Sequence, residues 1–131
     1  MRIDHVAIAV NNMEEAVKQF AKVLKFDEKK FMTVEREGVK IAMLKLQDTT
    51  LEIIEPLNDN SSVKKFLNEK GEGIHHIAIS VDDIEKDVEN ASNNGIKILG
   101  DVRPGSYDRK ITIIHPRSLH GVLIELCEHH E

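Results

Sequence analysis

The chain is short of three things, and each shortage narrows what it can be. Cys127 is the only cysteine among 131 residues. No disulfide can close within the chain, and a reducing, cytoplasmic compartment is expected. No apolar run approaches the ~20 residues that a membrane helix needs. No signal peptide is read either, because Met1-Arg2-Ile3 leads straight into a strand pattern. Positive charge is in deficit, 18 Lys and Arg against 23 Asp and Glu, for a net charge of −5. That balance argues against general nucleic-acid binding, so a phosphate-bearing partner would have to be held by a local basic cluster. Also missing are a Gly-rich phosphate loop, a Ser-His-Asp order, a CxxC pair and any low-complexity tract. What remains, 40% hydrophobic and 31% charged, is an ordinary soluble globular chain. Its length fits one compact domain over 1–131, or two half-domains sharing a core.

What the chain does have is an internal repeat. Ile3-Asp4-His5-Val6-Ala7-Ile8-Ala9-Val10 is echoed by Ile74-His75-His76-Ile77-Ala78-Ile79-Ser80-Val81, 71 positions on from His5 to His76. Thr50-Leu51-Glu52-Ile53-Ile54 is echoed by Leu123-Ile124-Glu125-Leu126, 73 positions on from Glu52 to Glu125. Each opening segment is apolar on both faces, as a strand covered on both sides should be. Period-two alternation puts His5, Ala7 and Ala9 on one face and Val6, Ile8 and Val10 on the other, which is expected to meet a helix. The matched smallness of Ala7 and Ala9, and of Ala78 and Ser80, predicts a cavity beside the histidines.

Helix signals follow each opening strand. Asn11-Asn12 caps a stripe of Met13, Ala16, Val17, Phe20, Val23 and Leu24, and Asp82-Asp83 caps one of Ile84, Val88 and Ala91 that ends at Asn94-Gly95. Strands are then expected near 28–35, 39–46 and 49–55, and again near 96–102, 109–114 and 120–127. Turn signals stand at Glu37-Gly38 and Gln47-Asp48. Between the copies, Ser62 to Lys70 reads as a short helix. The expected fold is therefore α+β. Two βαβββ modules, about 1–57 and 73–131, would form a curved mixed sheet around a central metal cavity.

If a pseudo-twofold axis relates the copies, His5, Glu52, His76 and Glu125 converge from four strands. Two imidazoles and two carboxylates suit a divalent ion such as Co²⁺, Mn²⁺, Ni²⁺, Fe²⁺ or Zn²⁺ better than Ca²⁺ or a thiol-seeking ion. Taken singly, a strand glutamate usually points to water and a lone histidine is usually a satisfied core residue. The coincidence of all four in both copies is what favours a metal. His75 should point to the helix-facing side and make a core hydrogen bond. His115 and His120 flank a turn, while His129 and His130 sit where chain ends fray. Cys127 reads as buried filler.

These segments resemble the vicinal oxygen chelate (glyoxalase/bleomycin resistance/dioxygenase) superfamily, and within it the methylmalonyl-CoA epimerase family over nearly the whole chain. The resemblance is carried by Ile3 to Val10, by Leu51-Glu52-Ile53-Ile54-Glu55-Pro56-Leu57 and by Gly73 to Ala78. It is carried most of all by the turn His115-Pro116-Arg117-Ser118 before Gly121-Val122-Leu123-Ile124-Glu125-Leu126. It implies an acyl-CoA substrate and interconversion of (2R)- and (2S)-methylmalonyl-CoA by proton removal and return at C2 via a metal-stabilised enolate. It also implies one divalent metal per site, cobalt first and then manganese, nickel or zinc, on His5, Glu52, His76 and Glu125. Glu125 doubles as catalytic base, and a homodimer is implied.

The chain departs from that family in two places. Ile41 stands where some members carry a further glutamate, and only Gly105 remains of a glycine-rich loop over 105–109. Glu35 and Glu37 are expected to be solvated rather than to replace that glutamate. Arg103, Arg109, Lys110 and Arg117 are read as a basic cluster that could hold CoA phosphates. Two alternatives share the fold: a glyoxalase I-type lactoylglutathione lyase and a non-catalytic small-ligand binding protein.

Overall fold

A computed structural model of the chain describes residues 1–105 and 109–129. The chain order is β1 (Arg2–Ala9), α1 (Met13–Ala21), β2 (Glu28–Val34), β3 (Val39–Leu46), β4 (Thr49–Pro56), α2 (Ser62–Lys70), β5 (Gly73–Ser80), α3 (Ile84–Asn93), β6 (Ile98–Pro104), β7 (Arg109–Ile114) and β8 (Ile124–His129). The chain is α+β with tandem βαβββ order, as the repeat predicts. It divides into an N-terminal unit, His5–His75, and a C-terminal unit, His76–Glu131 with Met1–Asp4. Among the described residues no helix is long and apolar enough to cross a membrane.

In the N-terminal unit the strands run in the order β2-β3-β4-β1. β1 lies parallel to β4, with Ala7 opposite Glu52, and the other two ladders are antiparallel. One sheet face packs on α1: Ala42, Leu44 and Ile53 meet Val17, Met13, Ala16 and Phe20. The helix starts where the sequence says, because Asn12 Oδ1 accepts the Glu15 N–H at 3.1 Å. The opposite face holds Ala7, Ala9, Ile41 and Ile54 in one cluster with Val63 and Leu67 of α2. This corrects the reading of Ala7 and Ala9 as cavity residues. Both are fully buried, and their small side chains leave room for α2 rather than for solvent.

The C-terminal unit has the order β5-β8-β7-β6, again one parallel ladder followed by antiparallel ones. Ile84 and Val88 of α3 cover Ile114, Leu126 and Ile98 on one face. Ala78, Ile111 and Cys127 form a small cluster on the other. Two strands begin later than the sequence suggests. Gly95 at φ +82° closes α3, and the Ile96 N–H bonds back to Ala91 O, so β6 starts at Ile98. A 3-10 turn over Pro116–Leu119 is followed by positive φ at His120 (56°) and Gly121 (88°), which delays β8 to Ile124.

The repeat extends to the helix ends. Glu55 Oε1 accepts the Met13 N–H at 2.9 Å, and Glu128 Oε1 accepts the Ile84 N–H at 3.0 Å. A carboxylate there satisfies an orphan amide and complements the helix dipole. Deleting a cap should cost far less than opening the core. Asn12→Ala is expected to lower stability by about 1 kcal/mol, and Leu44→Ala, fully buried, by about 2–5 kcal/mol. Urea midpoints at unchanged slope check both values.

Candidate functional site

Each unit brings one histidine and one glutamate together on the face away from its βαβ helix. In the N-terminal unit, His5 Nδ1 lies 3.3 Å from Glu52 Oε2, with both side chains almost wholly buried. The register explains the approach. Ala7 is opposite Glu52 on the parallel β1–β4 ladder, so His5 projects from the same face two residues earlier. Glu52 sits in the apolar run Leu51 to Ile54, where a carboxylate needs a partner to offset its desolvation. His5 is that neighbour.

The C-terminal unit repeats the pair. β5 runs parallel to β8 with Ala78 opposite Glu125, and ligand atoms of His76 and Glu125 lie within 4.8 Å of each other. His76 is half-buried, and Glu125 is 9% exposed. Cys127 shares Glu125's face but is fully buried, with its thiol on Ile79 O at 3.5 Å. It is filler, as expected.

The other histidines fall outside these pairs. His75 packs its ring edge-on against Phe66, with centroids 4.9 Å apart. Burial, then the Lys70 charge, holds its pKa below the ordinary imidazole value. His115 Nδ1 accepts the Arg117 N–H at 3.0 Å and so shapes the 3-10 turn. His129 does not fray: it ends β8 with Nε2 2.9 Å from Asp4 Oδ1. His130 lies outside the described residues. Glu35 and Glu37 are exposed in a 3-10 turn, as expected.

Asp4 was not singled out by the sequence. It gathers Arg2 (3.5 Å), Arg109 (3.4 Å) and His129 around one carboxylate. The only signal was an acidic residue inside an apolar strand. This network also divides the basic cluster. Arg109 is buried against Asp4, while Lys110 turns to Glu85 (3.0 Å) and Glu128 (3.8 Å). The hydrogen bond to Glu85, and then its charge, raise the Lys110 pKa. Adjacent strand residues must face opposite ways, so Arg109 and Lys110 could not have formed one patch. Arg103 and Arg117 are the exposed members.

Gly105 has a packing reason of its own. A Cβ there would stand 2.8 Å from Ile111 Cγ2, and its N–H donates to Arg109 O at 2.7 Å. The rest of that loop, Ser106 to Asp108, lies outside the described residues.

The glyoxalase/bleomycin resistance protein/dioxygenase superfamily model matches residues 4–113. The chain belongs to this superfamily. A methylmalonyl-CoA epimerase of Dictyostelium discoideum is 32% identical over 97% of this chain and 78% of its own length. An ethylmalonyl-CoA/methylmalonyl-CoA epimerase of Cereibacter sphaeroides is 31% identical over 95% of this chain and 96% of its own. A solved structure of a Streptomyces coelicolor methylmalonyl-CoA epimerase in complex with 2-nitronate-propionyl-CoA superposes with a TM-score of 0.92 at 34% identity. It covers 100% of this chain and 99% of that one. Within the superfamily, this places the chain in the methylmalonyl-CoA epimerase family.

Gly105→Ala is expected to destabilise the protein by about 1–3 kcal/mol, because the new methyl overpacks Ile111. Ile111→Ala, which removes Cγ2, should therefore cost less in the Gly105→Ala chain than in the wild type. Denaturant midpoints of the single and double variants check it.

Proposed function

We propose that this protein is a metal-dependent methylmalonyl-CoA epimerase. The observation that carries the reading is the coincidence of two things. Relatives of that name match 95% or more of the chain, and each unit holds one buried or half-buried His–Glu pair. His5, Glu52, His76 and Glu125 are the proposed ligands of one divalent ion, with the two modules, 1–57 and 73–131, working as one domain. The donor chemistry fits. Two imidazole nitrogens and two carboxylates suit a borderline divalent cation, and the apolar setting of Glu52 favours a cation beside it. Cobalt is the first choice, with manganese, nickel or zinc also compatible. A homodimer working in the cytoplasm completes the reading.

When bound, the ion supplies Lewis acidity toward the oxygens of the substrate. The protein's own share is proton handling and positioning. Glu125, 9% exposed, is the proposed base that takes the C2 proton from one face of the thioester, and inversion is completed by a proton delivered to the opposite face from a second donor. As the proton leaves, the electron pair delocalises into the thioester carbonyl. The apolar surroundings of Glu52 limit water beside the pair, while Glu125 keeps enough solvent contact for its captured proton to exchange with water before reprotonation. Exposed Arg103 and Arg117 are available to CoA phosphates.

Proton NMR of (2R)-methylmalonyl-CoA in D₂O with cobalt-loaded protein tests the reading. Deuterium should enter C2 without breakdown of the thioester. No exchange, alongside turnover of a methylglyoxal–glutathione adduct, would move the assignment to a glyoxalase. Glu125→Gln should slow exchange by about 10²–10⁴-fold while retaining some metal, and wild-type exchange in that variant would remove Glu125 from the base role. His5→Ala and His76→Ala should each lose most of the bound metal by elemental analysis, and full occupancy in either would break the proposed ligand set.

A further inference from the structure

Inversion at C2 needs a proton delivered to the face opposite the base. The proposed base Glu125 belongs to the C-terminal unit, so the donor is sought on the N-terminal sheet, on the face that carries His5 and Glu52. Residues paired across a ladder share a face, so the register says what else stands there. One row across the sheet reads His5, Thr50, Lys45 and Glu28, and the next reads Ala7, Glu52, Met43 and Lys30. A third row, Ala9, Ile54, Ile41 and Met32, is apolar, and Val63, Phe66 and Leu67 of α2 pack with it. Lys40 and Glu55 pair on the other face at 3.5 Å, and His75 of β5 is held edge-on against Phe66.

Apart from the two proposed ligands, these rows hold four groups with an exchangeable proton: Thr50, Lys45, Lys30 and Glu28. Thr50 offers only a hydroxyl. Lys30 and Glu28 are engaged with each other at 3.5 Å on β2, the outermost strand. Lys45 stands one strand nearer to Glu52. It is exposed, and among the described residues its ammonium has no ion pair or hydrogen bond. Glu52 is opposite Met43, which makes Lys45 its diagonal neighbour. Diagonal neighbours lie about 7–8 Å apart, a gap that a flexible four-carbon lysine stem spans.

We infer that Lys45 is the second proton-transfer group, delivering a proton to C2 from the N-terminal side. The assignment rests on the epimerase reading and names the donor that inversion requires. Glu125 takes the C2 proton from one face, the C–H bond breaks, and its electron pair moves into the thioester carbonyl. The pair then returns to C2 as a new C–H bond, made with a proton from the Lys45 ammonium on the other face. Glu125 is left as the neutral acid and Lys45 as the neutral amine, and exchange of one proton each with water restores both. In the reverse direction the Lys45 amine takes the proton and Glu125 gives it.

The test uses the cobalt-loaded full chain in D₂O with each epimer of methylmalonyl-CoA in turn. The epimers are diastereomers, because CoA is itself chiral, so chromatography reads inversion while mass spectrometry reads deuterium at C2. The wild type should invert both epimers with uptake of deuterium. Lys45→Met should slow inversion of both about 10²–10⁴-fold. The epimer whose proton faces Glu125 should still take up deuterium at a near wild-type rate, now without inverting. Lys45→Arg keeps the charge but has no proton to release, and should invert as slowly as Lys45→Met. Metal content should stay at the wild-type level in both variants. Wild-type inversion in either variant, equal loss of inversion and of exchange for both epimers, or loss of metal overturns the donor role alone. Absence of exchange in the wild type sinks the epimerase reading and this assignment with it.

Discussion

A carboxylate in the middle of an apolar strand is the constraint on which the rest depends. Glu52 has Leu51, Ile53 and Ile54 for neighbours and is 3% exposed. An ionised group so placed is costly unless positive charge or donors face it. The fold supplies His5 at 3.3 Å from the adjacent parallel strand. The parallel β1–β4 register achieves this. A one-residue slip would turn His5 to the α1 side and set Glu52 opposite Val6 or Ile8. The site geometry and the strand order of the unit are therefore one requirement.

The same strands carry a second glutamate three residues further on: Glu52 and Glu55 in β4, Glu125 and Glu128 in β8. A spacing of three in a strand places the two on opposite faces. The first joins a histidine, and the second reaches back to the first amide of the unit's own helix. Lysines repeat the logic, with Lys40 on Glu55 and Lys110 on Glu128. One short strand thus fixes a donor on one side and anchors a helix on the other. The duplication preserves both jobs together.

Much of this was legible in the sequence because it rests on local rules. The caps Asn12 and Asp83, the helix Ser62–Lys70 and the turn at Gly38 follow from side-chain and backbone preferences within a few residues. The His–Glu pairs were legible because the repeat stated them twice. Long-range pairing was not. Nothing near Asp4 in sequence indicates that Arg109 and His129 will close on it. Without that partner, Arg109 and Lys110 read as one basic patch. The late start of β8 was hidden too, since positive φ at His120 is uncommon for a residue that is not glycine.

The repeat is least faithful on the sheet faces that carry the histidines. Both opening strands place small residues after the histidine, Ala7 and Ala9 in one and Ala78 and Ser80 in the other. In the N-terminal unit that space is taken by Val63 and Leu67 of α2, a helix that follows β4 and has no counterpart after β8 among the described residues. In the C-terminal unit the buried apolar cluster on the corresponding face is Ala78, Ile111 and Cys127, and Gly105 leaves room for Ile111 because a Cβ there would stand 2.8 Å from its Cγ2. The donors stay matched while the walls diverge.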